Sequence, residues 1–179
     1  MHAQARGLTL IELLIALAIA TLLFGIAIPA IGGAIEAARS QDARTALLGT
    51  FVEAVNKASL SGQRAVLCPS ADGINCLDSA DWSAGWIAFL DSDGNRERSA
   101  DERLIRHQPA LGGKVRLRST EGRKRIVFQA HGGNAGSNVT FTLCDGRGPA
   151  KAQTLVLNNQ GRMRHGIPSA EAIALTCLR

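Results

Sequence analysis

Gly161-Arg162-Met163-Arg164, following Asn158-Asn159-Gln160, is the short stretch whose residue types and spacing most directly suggest chemistry. Polar residues and a glycine make a turn, and a chain leaving it extended sends Arg162 and Arg164 to one side and Met163 to the other. Two planar, permanently charged guanidiniums side by side suit phosphate oxygens, and the adjacent glycine lets a bulky polyanion approach the backbone. A solvated turn, or salt bridges to the acids between 78 and 102, would account for the same residues without a ligand. The surroundings are basic: residues 103–165 carry twelve Lys/Arg against Glu121 and Asp145, a net +10, whereas residues 61–102 carry three Arg against eight Asp/Glu, a net −5. Such an excess lacks internal partners and is expected to face solvent or a polyanion. Lys124 and Arg125, then Arg116, Arg118, Arg123, Arg147 and Lys151, are the candidate helpers. With no tyrosine in the chain and no aromatic beside Arg162, binding to a nucleic acid would be phosphate-led, salt-sensitive and indifferent to sequence.

Other chemistries find less support. Asp91-Ser92-Asp93-Gly94-Asn95 resembles the start of a calcium loop, but a third acid before its glycine and a bidentate Glu at the right distance are missing, so a solvated acidic turn is expected. His107, His131 and His165 lie in basic or Gly-rich segments without a serine elbow or metal-ligand spacing, and are expected at the surface. No catalysis, cofactor or metal is expected. Four cysteines, Cys68, Cys76, Cys144 and Cys177, allow three connectivities; local closure of Cys68 with Cys76 and a long-range tie of Cys144 to Cys177 is the reading adopted. A zinc site would want close pairs such as C-x-x-C, which these spacings do not provide.

The elements that must position these residues begin with an apolar run. From Gly7 to Gly33 the only charge is Glu12, and Leu8 to Ile28 as a helix would cover roughly 30 Å, the thickness of a bilayer's hydrocarbon core. Arg6 before it places the leader in the cytoplasm and the rest outside, in an oxidising compartment. Periodicity continues through Ile35, Ala38, Leu47, Leu48, Phe51, Val52, Val55 and Ala58, with Arg39, Asp42, Arg44, Glu53 and Lys57 opposite, until Ser61-Gly62 ends the helix. Short strands follow at Arg64–Cys68, Gly85–Leu90, Arg103–His107, Lys114–Arg118, Lys124–Ala130, Asn138–Cys144, Gln153–Asn158 and Ile173–Cys177, with turns at Gly112-Gly113 and from Gly132 to Gly136. The fold class is α+β, an antiparallel sheet packing its apolar face on the helix stripe. Trp82, Trp86 and Phe89 are expected as core aromatics.

A cleaved secretory signal and a retained helix compete for such an N-terminus, and Glu12 within the apolar run is costly for a lone membrane helix. The leader MHAQARG, the Gly7-Leu8 junction, Thr9, Glu12 and the Leu/Ile/Ala run resemble the prepilin signature of type IV pilins and type II secretion pseudopilins. The resemblance implies cleavage after Gly7 by a prepilin peptidase, methylation of Leu8 as the new terminus, and Glu12 facing a neighbouring subunit's amine. Leu8 stands where the family usually has Phe, and Pro29 where it often has a bend-inducing proline. Cys68-Pro69 through Cys76 and W-x-x-G-W-x-x-F-x-D, from Trp82 to Asp91, resemble the GspH/FimT group of minor pilins, with the type IV pilin fold. The G-R-x-R segment at 161–164 is similar to that of FimT minor pilins, which implies DNA binding during natural transformation (competence). The organisation implied is a leader at 1–7, a membrane and filament helix at 8–34, and a head at 35–179, helical over 35–61 and β-rich over 62–179. The expected localisation is single-pass in the inner membrane, then a cell-surface pilus, with DNA, other pilin subunits and the peptidase as partners. The alternative is a structural GspH-like pseudopilin of a secretion pseudopilus or pilus tip, without DNA binding.

Overall fold

The structure is a computed structural model that describes residues 9–131, 133–134 and 138–178. The Gly7-Leu8 junction and part of the 132–136 turn therefore lie outside the described residues. The chain divides into two compact units, Met1–Ile35 and Glu36–Arg179. Helix α1 runs Leu10–Ser61 and contains Pro29. Thr9 caps it: its hydroxyl accepts from the Glu12 N–H at 3.3 Å, while the Glu12 carboxylate accepts from the Thr9 N–H and hydroxyl at 2.9 and 2.8 Å. Such a reciprocal capping box satisfies amides left bare at a helix start. Glu12 thus has a local role within its own chain. In the first unit every large apolar side chain from Leu10 to Ile31 is more than half exposed, as a segment built for an apolar surrounding requires.

In the second unit the helix buries Ala43, Leu47, Thr50, Phe51, Ala54 and Ala58, a stripe at three- and four-residue steps. Val52, assigned to that stripe from sequence, instead points outward. Gly62, with φ +70°, takes the left-handed conformation that ends the helix.

Two four-stranded antiparallel sheets replace the single sheet expected. The first comprises β1 (Arg64–Pro69), β2 (Trp86–Asp91), β3 (Leu104–Gln108) and β5 (Ile126–Phe128), in the order β3-β2-β1-β5. The second comprises β4 (Arg116–Ser119), β6 (Val139–Cys144), β7 (Gln153–Leu157) and β8 (Met163–Gly166), in the order β4-β6-β7-β8. Strand β2 is buried on both faces: Trp86, Ala88 and Leu90 join the core with α1, and Ile87 and Phe89 join Val66, Cys68 and Val127 in a smaller cluster. Aromatics hold the main core, with Trp82 edge-on to Phe141 at 5.1 Å and the Trp86 indole donating to the Thr50 hydroxyl at 3.1 Å.

The segment expected as a last strand is helix α2 (Ala170–Cys177). Ser169 caps it, its hydroxyl accepting from the Ala172 N–H at 3.2 Å, and the Ala/Glu/Leu composition that follows favours helix over strand. Disulfides join Cys68 to Cys76 and Cys144 to Cys177, the second tying α2 to β6.

Glu36 fastens the start of the head. Its Oε2 accepts from the Gly146 N–H at 3.0 Å and the Lys114 N–H at 3.3 Å, and its Oε1 from Arg39 at 2.8 Å. A Cβ on Gly113 or Gly146 would fall 2.7 or 2.9 Å from this carboxylate and push the Glu36 side chain aside, and Gly113, at φ +65°, also holds the left-handed conformation that favours glycine. The Gly146 N–H, above all, holds the Glu36 carboxyl below its usual range.

Candidate functional site

The turn before β8 is built by Asn158. Its carboxamide oxygen accepts from the Gln160 and Arg162 N–H groups at 3.1 and 2.8 Å, and its own N–H donates to the Arg162 carbonyl at 3.0 Å. Gly161 closes the turn at φ +77°, a conformation that a side chain would strain. Strand β8 then pairs with β7 in the register Leu157↔Met163, Val156↔Arg164 and Leu155↔His165. Leu155 and Leu157 are buried, so Met163 turns toward the core while Arg162 and Arg164 lie exposed on the other side. Among the described residues neither guanidinium has a carboxylate partner.

The outer face of the second sheet continues this arrangement. Side chains opposite one another across antiparallel strands share a face, so Arg116 and Arg118 of β4 share it with Thr142 of β6, Thr154 and Val156 of β7 and Arg164 of β8. Four strands at about 4.8 Å spacing put roughly 14 Å between its two arginine-bearing edges. A groove of about 430 Å³ between this face and α2 is lined by Arg118, Thr140, Thr142, Thr154 and Glu171 among others.

Four of the remaining candidates are not free. Lys124 is bound to Asp78 at 2.8 Å, and Arg125 to Glu97, to Asp78 at 3.8 Å and to the Arg96 carbonyl at 3.0 Å. Arg118 holds Glu121 at 2.7 Å. Arg147 grips the buried Asp145 with two parallel hydrogen bonds of 2.9 and 2.7 Å, and that fork holds the Asp145 carboxyl below its usual range. The expectation that the basic excess lacks internal partners therefore fails for these four: the acidic segment folds back onto Lys124 and Arg125, and the two acids of the basic stretch, Glu121 and Asp145, take up Arg118 and Arg147. Arg116, Arg123 and Lys151 are exposed.

Sequence reasoning missed two residues. Arg96, which belongs to the acidic stretch, lines a cleft of about 250 Å³ with Arg123, Lys124 and Arg125. Arg44 of α1 reaches β8 and bonds the His165 ring, so this histidine lies at the surface as expected but is anchored to the helix. Neither has a local sequence signal, since both contacts join distant segments.

The family described as Type II transport protein GspH matches residues 43–161, and the prokaryotic N-terminal methylation motif matches residues 3–28. The chain belongs to the GspH family. No curated protein matches it. Its fold is similar to the type IV minor pilin FimU of Pseudomonas aeruginosa, at TM-score 0.54 and 17% identity over 71% of this chain and 92% of that one. It is also similar to the minor pseudopilin EpsH of the Vibrio cholerae type 2 secretion system, at TM-score 0.52 and 13% identity over 73% and 98%. At these identities the likeness is one of fold. The GspH match, the methylation motif and the long apolar helix make this a minor pilin or pseudopilin, single-pass in the inner membrane and assembled with other pilin subunits. The GspH match ends at Gly161, so Arg162 and Arg164 lie just beyond it.

Proposed function

We propose that this GspH-family pilin binds DNA through Arg162 and Arg164 and serves DNA uptake in natural transformation. The observation that carries the reading is the exposed guanidinium pair before and within β8, set by a glycine turn and without carboxylate partners among the described residues. Arg116 on the far edge of the same face, with Arg123 and Lys151, extends the positive field. Phe51 and Phe128, the aromatics of the groove that Gly161 and Met163 also line, are both buried and offer no stacking surface. Contacts are therefore to phosphates, and affinity falls with salt by about 0.9 log units per contact per log unit of salt on duplex DNA. A single head binds weakly, and several along a filament gain avidity. The chain is delivered as a prepilin: a peptidase removes residues 1–7, Leu8 is methylated, and Glu12, freed from Thr9, pairs with a neighbour's terminal amine. The head starting near residue 35 carries the interface, without catalysis or cofactor.

A structural role in a secretion pseudopilus or pilus tip is the second reading. It is favoured by Val52 and Leu60, apolar residues of α1 that are 61% and 83% exposed, as a packing face between subunits would be. Titrating the purified head, residues 36–179, with duplex DNA at low salt separates the two. Saturable binding that weakens as salt rises supports uptake, and no binding at low salt leaves the scaffold role.

A further inference from the structure

The connection from β2 to β3 brings together side chains that the interface does not use. One carboxylate oxygen from each of Asp91, Asp93 and Glu102 lies within 4.8 Å of the others. Asp91 and Glu102 are each only 3% exposed, and among the described residues none of the three carboxylates has an ion-pair partner. Asp91 Oδ1 accepts from the Gly94 and Arg96 N–H groups at 3.0 and 3.3 Å, whereas its Oδ2 is buried with no hydrogen-bond partner. A buried carboxylate oxygen without a donor is costly and implies a missing positive partner. The nearby guanidiniums do not supply it: Arg98 donates to the Ile74 and Glu102 carbonyls, and Arg64 lies beside Gly94 without pairing to the acids.

The spacing completes what the first five residues of the loop left open. Counted from Asp91 as position 1, Asp93 is 3, Asn95 is 5, Glu97 is 7, Ser99 is 9 and Glu102 is 12. These are the positions from which a twelve-residue calcium loop draws its oxygens, with a backbone carbonyl at 7 and a bidentate Glu at 12. The sequence expectation that no Glu stands at the right distance is thereby corrected. Position 6 of such loops is an invariant glycine at the sharp turn; here it is Arg96, at φ 66° the one non-glycine residue in the left-handed region among those described. The backbone takes the required turn although the residue does not favour it.

The geometry points to a calcium site at Asp91, Asp93 and Glu102, closed by Asn95, the Glu97 carbonyl and Ser99. Hard oxygen donors on an irregular loop suit calcium better than magnesium, which demands near-octahedral order. Because strands rather than helices flank the loop, the ion acts as a staple between β2 and β3. The same loop presents Arg96 and Glu97 to Arg125, so its order bears on the basic cleft as well.

The test is a calcium chloride titration of the full chain in detergent micelles after chelator treatment, read by calorimetry and thermal unfolding. The expected result is one ion per chain at a Kd of about 0.1–1 mM, the range of extracellular calcium modules, with an unfolding midpoint raised by several degrees at about 10 mM calcium. Glu102→Gln and Asp93→Asn should each weaken binding about tenfold or more, and Asp101→Asn, outside the cluster, should not. Arg96→Gly should tighten binding, since it removes a charge and suits the left-handed turn; a misfolded variant could not mimic that gain. Asp93 is exposed, so its variant stays informative if Glu102→Gln fails to fold. No calcium-dependent change in the wild type up to about 10 mM, beyond the weakest such modules, overturns the site. So does binding that survives Asp93→Asn unchanged.

Discussion

Arg162 and Arg164 before and within β8, and Lys124 and Arg125 ahead of β5, come from the same +10 stretch and look equally available in the sequence. In the folded head they differ. The first pair stands exposed on a sheet edge without carboxylate partners among the described residues, while the second is held by Asp78 and Glu97 from the acidic segment. What separates them is which charges the fold has already spoken for, and net charge along a sequence does not report that. The largest expected effect tests the free pair. Arg162→Ala with Arg164→Ala removes two charge-assisted contacts of about 1.5 kcal/mol each, so DNA affinity at low salt should fall on the order of a hundredfold. The salt slope should fall by about two. An unchanged affinity in a fluorescence anisotropy titration would sink the assignment.

The next prediction concerns the most tightly committed cation. Arg147 was a candidate contact, yet both its bonds go to Asp145, whose side chain is fully buried. Arg147→Ala leaves that carboxylate unpaired and should cost about 2 kcal/mol of stability while leaving DNA affinity nearly unchanged. The pH dependence follows from the lowered Asp145 pKa, caused first by Arg147. A depressed carboxyl contributes stability that is present above its unfolded pKa, about 3.9, and lost as pH falls through the folded value. The gap between wild type and variant should therefore be full at neutral pH and narrow as pH falls toward about 3, as urea midpoints across that range would show. Equal midpoints at pH 7 would return Arg147 to the pool of free charges.

How far the sequence reached follows from the range of each interaction. The long helix, its end at Gly62 and the alternation of Arg162, Met163 and Arg164 are set within a few residues, and all could be read directly. The ion pairs that withdraw Lys124 and Arg125 span 46 and 28 residues, and nothing local announces them. Sheet membership is non-local in the same way: β5 pairs with β1 and β4 with β6, so two sheets arise where alternation alone suggested one. The last element failed for a nearer reason. Ile173–Cys177 alternates acceptably as a strand, but Ser169 supplies a cap four residues earlier and decides for helix. Glu102 stood in plain view eleven residues after Asp91, whereas its burial required the folded chain.

If partners alone silence the second region, removing them should restore it. Asp78→Asn with Glu97→Gln frees Lys124 and Arg125 and takes two negative charges from the cleft, so DNA affinity should rise about tenfold at low salt, near 1.4 kcal/mol. A flat response would mean that the cleft faces away from bound DNA, and the comparison would then rest on position rather than pairing.

The smallest effect is the converse substitution. Asp78 is 76% exposed and Glu97 58%, so their pairs with Lys124 and Arg125 are solvent-screened surface pairs that contribute little to stability. DNA reaching these residues must first displace those carboxylates, which cancels much of what each new phosphate contact contributes. Lys124→Ala with Arg125→Ala should therefore lower DNA affinity only about threefold, well under 1 kcal/mol, against the hundredfold expected at Arg162 and Arg164. Measured at the same salt, the two double variants rank the regions directly. Equal losses would show that a surface ion pair does not withhold a cation from DNA, and the distinction between free and committed charge would fail.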